Sequence, residues 1–131
     1  MNTKVVYNNC YGGFGLSSVG LEFYNSKKVN TGLEPIDQDH FIKRNDSHLV
    51  ETVLALREKA NDEFSSLTIE EISPDYVDCF TIHEYDGLES VVCDPKNLVS
   101  DKLRKLNLKD LTSKECRVIL EQLQRLIVQD N

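Results

Sequence analysis

At 131 residues with 40% hydrophobic side chains, the chain has the material for one real core and too much apolar content for general disorder. No apolar run approaches the ~20 residues of a membrane helix, and Met1-Asn-Thr-Lys-Val-Val-Tyr7 lacks a signal peptide's apolar stretch, so a soluble protein is expected. The net charge of −7 is uneven: residues 34–94 carry 16 acidic and 4 basic side chains (−12), against +2 before and +3 after, which argues against ordinary nucleic-acid binding. The acidic middle admits a basic partner, a mimic of nucleic-acid charge, or a plain solvated surface.

Lys4-Val-Val-Tyr7 reads as a short buried strand bounded by Asn8 and Asn9. Four of the six glycines then fall within nine residues, in Gly12-Gly-Phe-Gly15 and Gly20. Ser17 is placed to cap a helix over about 18–26, with Leu16 and Leu21 as its hydrophobic staple and Tyr24 facing the core. Residues 27–44 show no periodic pattern and read as a long loop. Asp46 can cap a second helix to about Ala60, with Leu49, Val50, Val53, Leu54 and Ala60 as its apolar stripe and Asn61 as a left-handed end residue.

Leu67–Ile72 alternates as a strand and Ser73-Pro74-Asp75 breaks it. Cys79–Tyr85 and Leu88–Cys93 read as two more strands, joined by Asp86-Gly87, a strong signal for a type I′ hairpin turn. Lys96–Leu111, with leucines at 98, 103, 106, 108 and 111, reads as partly helical. Thr112 and Glu115 form a capping box before a last helix to about Val128. Cys116, Ile119, Leu120, Leu123, Leu126 and Ile127 stripe that helix, for packing on the sheet or for pairing two protomers. This order predicts an α+β fold: a mixed sheet of about four strands with helices on one face, comprising a core over 1–94 and a helical extension over 95–131.

Several blocks together resemble a family of small proteins widespread in bacteriophage and large-virus sequences. They are Tyr7-Asn-Asn-Cys-Tyr-Gly-Gly-Phe-Gly-Leu-Ser17; Arg44-Asn-Asp46 with Leu49, Val50 and Val53; Glu58-Lys-Ala-Asn61; Ile69-Glu-Glu-Ile72; and Glu84-Tyr-Asp-Gly-Leu-Glu89. The resemblance covers roughly residues 4–93. The family commonly has proline where Ser47 stands and ends soon after the hairpin, so residues 95–131 are an addition. The resemblance implies a viral origin and a shared fold, and no mechanism; a place in the host cytoplasm or the virion is expected.

Two stretches could carry chemistry. Glycines between a strand and a helix start can bring backbone N–H groups to a phosphate, and Tyr11 and Phe14 could stack on a ring, which makes Tyr11, Gly12, Gly13, Phe14, Gly15 and Ser17 a candidate ligand loop. The stretch lacks both the dinucleotide and P-loop patterns, so a tight structural turn is the competing reading. In the hairpin, a two-residue loop sets Glu84 opposite Glu89, on the face shared by Phe80, Ile82, Val91 and Cys93. Opposed carboxylates call for a lysine or arginine, a divalent cation or one raised pKa, unless both lie in water. A raised pKa would suit acid–base catalysis.

His83 points to the other face and, with His40 and His48, forms no cluster; Cys10, Cys79, Cys93 and Cys116 form no C-x-x-C pair and read as reduced, mostly buried thiols. No cofactor is expected. The first functional reading is a non-catalytic viral accessory protein that binds a host or viral protein or a small ligand, with possible self-association through the last helix. The second is a small hydrolase or transferase using Glu84 and Glu89, with or without a metal, which requires the hairpin and the glycine turn to share one cleft. The third is an acidic nucleic-acid mimic, which would space its carboxylates along one exposed face.

Overall fold

A computed structural model describes residues 2–105 and 113–129, with backbone alone at 113–116 and 126–129. Strand β1, Thr3–Asn8, pairs antiparallel with β2, Leu67–Ile72, so that Val6 lies opposite Ile69 and Asn8 opposite Leu67. Among the described residues, the other edge of β1 meets no third strand. Its Val6 N–H donates to the carbonyl of Arg44 at 2.7 Å, and its Asn8 N–H to the Glu89 carboxylate at 2.8 Å. A loop carbonyl and a side chain thus close an edge that a mixed sheet would have extended.

Helix α1 runs Ser18–Asn30, a turn longer than its apolar pattern. Ser17 caps it by accepting from Gly20 N–H at 3.0 Å. The extra turn is held by Thr31, whose N–H and hydroxyl both donate to the carbonyls of Lys27 and Lys28. The following loop is pinned by side chains that periodicity does not encode. Asn25 and the backbone of Ile36 exchange two hydrogen bonds of 2.9 Å, and Asp39 accepts from Leu16 N–H at 2.7 Å as a 3₁₀ turn, Asp39–Phe41, begins.

Helix α2, Ser47–Leu56, is capped by Asp46, which accepts from His48 N–H. The second oxygen of Asp46 takes the Tyr24 hydroxyl at 2.8 Å. Burial and then this carboxylate push the Tyr24 phenol well above its usual range. The helix stops four residues before Ala60 because Arg57 adopts φ 53° and ψ −123°, and a 3₁₀ turn, Arg57–Ala60, follows. The positive φ falls on Arg57; Asn61, expected to be left-handed, is extended at φ −75° and instead accepts from Leu67 N–H.

Strands β3, Thr81–Tyr85, and β4, Leu88–Val92, form the hairpin. Asp86 and Gly87 both have positive φ (52° and 87°), as the turn chemistry requires. Strand β3 starts later than Cys79 because Cys79 N–H and Phe80 N–H both fold back onto the Tyr76 carbonyl. The fold is α+β, with its four strands in two antiparallel pairs, β1–β2 and β3–β4.

The chain divides into two units. The first, Met1–Pro74 with Ile82–Val91, has a core of Val6, Leu16, Tyr24, Ile42, Leu49, Val53 and Ala60. The second, Asp75–Thr81 with Val92–Asn131, contains α3, Pro95–Lys105, packed on α4, Ser113–Gln129; Leu98 and Leu123 are buried. Leu120, assigned to the apolar stripe, is exposed, and Ile119 is half-buried. Leu106, Leu108, Leu111 and Thr112, and the side chains of Glu115, Cys116, Leu126 and Ile127, lie outside the described residues. Among the described residues, no helix is long and apolar enough to cross a membrane.

Candidate functional site

The last residue of β1 organises the glycine turn. Asn8 is wholly buried, and both ends of its amide are used. Its Nδ2 donates to the carbonyls of Cys10 and Gly87, each at 2.8 Å, and its Oδ1 accepts from Ser66 N–H at 2.7 Å. One side chain therefore ties the strand end to the glycine turn, to the 61–66 loop and to the hairpin tip.

The glycines are what let these segments touch. A Cβ on Gly12 would stand 1.8 Å from the Phe64 carbonyl oxygen, and one on Gly15 1.9 Å from the Asp62 carboxylate. A Cβ on Gly87 would lie 2.5 Å from both Gly13 N and the Tyr11 carbonyl oxygen. The hairpin tip and the glycine turn do meet, as a close backbone-to-backbone joint.

The turn is also poorly prepared for a phosphate. Asp39 already occupies the Leu16 N–H, and Ser17, besides capping Gly20, donates its hydroxyl to the Lys59 carbonyl at 2.6 Å. Beside the turn lies a cleft of about 460 Å³, lined by Leu16, Ser17, Ser18, Asn61, Asp62, Glu63 and Phe64. Its described lining carries two carboxylates and no cation, which opposes an anionic ligand.

The hairpin glutamates have separate fates. Glu89 is 7% exposed, and Arg44 grips both of its oxygens, with Nη2 to Oε2 at 2.8 Å and Nη1 to Oε1. Arg44 in turn lies 3.7 Å above the Phe14 ring, so Phe14 stacks on a guanidinium and packs against the core. Glu84 is exposed, and its Oε1 accepts the Gly87 N–H. The pair is thus relieved by an arginine on one member and by water on the other, which is a structural use of both carboxylates.

Cys10 donates its thiol to the Phe64 carbonyl at 3.0 Å and is within 3.4 Å of the Asn8 amide oxygen; no histidine bonds to it. His83 is exposed, His40 leans on Phe41, and His48 contacts the Thr31 hydroxyl and the Glu51 carboxylate. No group of three or more potential metal ligands occurs among the described residues.

The exposed side chains of these segments are aromatic and acidic. Tyr11 is 67% exposed, Phe64 65% and Tyr85 69%, one on each of the three segments that Asn8 and the glycines bring together. Asp62, Glu63, Glu84 and Asp86 belong to the same segments, and none pairs with a cation among the described residues. Asn8 and Arg44 were invisible as site residues in the sequence. The one available hint was that the opposed glutamates demanded a cation.

Comparison with family models, with curated proteins and with solved structures finds no match to this chain.

Proposed function

We propose that the chain is a non-catalytic binding protein, a viral accessory protein in line with its sequence resemblance, which engages a partner protein through the face carrying Tyr11, Phe64 and Tyr85. The observation that carries this reading is the contrast at the joint. Glu89 is buried and held by Arg44 and the Asn8 N–H, and Glu84 caps the hairpin turn through Gly87 N–H, while three large aromatic side chains are left in water. Exposed tyrosines and phenylalanine on a rigid support are the residue types that anchor protein interfaces.

The unpaired carboxylates around them set the partner's chemistry. Asp62, Glu63, Glu84 and Asp86 favour a segment rich in lysine or arginine, whose cations can pair with the acids and lie over the rings. The carboxylates are clustered about the joint, which favours a compact partner segment over mimicry of a nucleic acid's extended charge.

A fluorescein-labelled peptide of alternating arginine and leucine, titrated by anisotropy, tests the reading. Binding should weaken about tenfold or more in a Tyr11→Ala/Tyr85→Ala double variant and should fall as salt is raised. Equal affinity of parent and double variant, or equal binding of a glutamate-for-arginine peptide, would defeat it.

A further inference from the structure

Arg57 stands in a backbone conformation that suits glycine, and it does so at the edge of a second cleft. At φ 53° and ψ −123° an arginine is strained where glycine would be at ease. Strain of this kind persists where the surroundings hold it in place, and it concentrates at functional sites. The cleft, about 470 Å³, lies between the C-terminal end of α2 and β2, wholly within the first unit.

Four of the residues along it carry side-chain donors that no described residue uses. Arg57, Asn61, Ser66 and Thr68 line it, and the Arg57 guanidinium, Asn61 Nδ2, Ser66 Oγ and Thr68 Oγ1 make no hydrogen bond or ion pair with another described residue. Its floor is apolar: Val53, Leu67 and Ile69, the first in the core and the other two packed against it. Glu58 is the one acid among the described residues that line it. In a chain of net charge −7, this is a place where free donors converge over an apolar surface.

We propose that this cleft binds a small organic oxyanion, an acid group carried on a short apolar body. The guanidinium fork takes the acid oxygens in two parallel hydrogen bonds. Ser66 and Thr68 add hydroxyl donors, and the apolar body covers Val53, Leu67 and Ile69. The volume suits a small ligand, and Glu58 selects for low charge. The unusual backbone of Arg57 keeps the guanidinium at the mouth of the cleft, where a helical residue at the same position would be carried round with α2.

The test uses hexanoate and hexyl phosphate, with hexanol as the uncharged control and acetate as the anion without a tail. Each is titrated into the full chain while backbone amide shifts are followed. Hexanoate, hexyl phosphate or both should move the amides of Arg57, Ser66 and Thr68; the tighter of the two identifies the head group. Hexanol and acetate should bind at least about tenfold more weakly.

Arg57→Gly keeps the backbone comfortable and removes only the fork. It should weaken binding about tenfold or more with a thermal midpoint equal to or above the parent's. Arg57→Lys, which keeps the charge but not the fork, should fall between. Thr68→Val, which removes one donor and keeps the shape, should also bind more weakly. Undiminished binding in Arg57→Gly, hexanol binding as tightly as the anions, or no movement of the cleft amides at millimolar ligand would each overturn the proposal. None of these outcomes depends on the Tyr11 and Tyr85 face.

Discussion

Arg44 holds three groups at once: the carboxylate of Glu89 through its fork, the Phe14 ring under its plane, and the Val6 N–H through its carbonyl. Truncating it to alanine leaves Glu89 buried with a single backbone donor from Asn8. Breaking a buried pair in this way costs about 3–5 kcal/mol, and urea denaturation of Arg44→Ala should read a loss in that range. Arg44→Lys keeps a charge without the fork or the stacking and should lie between. Glu89→Gln in the Arg44→Ala background should recover part of the loss, because no charge is then buried; failure to recover any would mean that the stacking on Phe14, not the ion pair, carries the effect. At this scale the sequence was half legible. A two-residue turn fixes which hairpin residues oppose each other, so the need for a counter-charge could be read. Which arginine meets it could not, because Arg44 lies in a loop far from residue 89 and no periodicity links them. Arg57 was less legible still, since nothing in Ala-Leu-Arg-Glu-Lys-Ala announces a positive φ.

At the scale of elements, caps and turn signals were reliable and helix ends less so. Ser17, Asp46 and Asp86-Gly87 do the work their residue types suggest. The α1 extension and the early end of α2 are set by Thr31 and Arg57, whose effect depends on contacts and backbone strain. The glycine turn was legible as a turn between strand and helix, but the reason for its glycines was not: it is the backbone of Phe64, the Asp62 carboxylate and the hairpin tip pressing against them. Gly87→Ala should therefore cost more than an exposed hairpin residue would suggest, about 2 kcal/mol or more from overpacking and positive φ together, measured as a drop in urea midpoint. A neutral result would mean that the tip does not press on the turn.

Helix α3 makes a prediction in pH. Asp101 accepts from Lys105 at 2.9 Å and Arg104 at 2.6 Å, and Lys105 also reaches Asp78 at 2.7 Å. The bonds from Lys105 and then Arg104 hold the Asp101 carboxyl below its ordinary value. A carboxyl lowered in the folded state stabilises above its unfolded pKa of about 4 and loses that contribution as pH falls through the folded value. The thermal midpoint of the parent should therefore drop on acidification below about pH 4 more steeply than that of Asp101→Asn. Parallel pH profiles for the two would remove Asp101 from the account.

For the whole molecule, the α+β class followed from element order, because apolar stripes and turn residues alternate clearly enough to be counted. The pairing of β3 with β4 followed from Asp86-Gly87, but that of β1 with β2 did not. Pairing depends on what meets the outer edge of β1, and that edge is satisfied by the Arg44 carbonyl and the Glu89 carboxylate, neither of which belongs to a strand-to-strand ladder. The division into units was similarly hidden, since the chain passes from the first unit into the second at residue 75, returns at 82 and leaves again at 92. Yet every residue of the continuous core, from Val6 to Ala60, lies in the first stretch of the first unit. The joint that carries Tyr11, Phe64 and Tyr85 is complete by residue 89. A chain ending after Asp94 should therefore keep a cooperative thermal transition and the affinity of the full chain for the arginine–leucine peptide. Its mass in solution, set beside that of the full chain, tests self-association through the last helix: a dimer that becomes a monomer on truncation supports it, and a monomer in both removes it. A truncated chain that folds but no longer binds would move the partner surface from the glycine joint to α3 and α4.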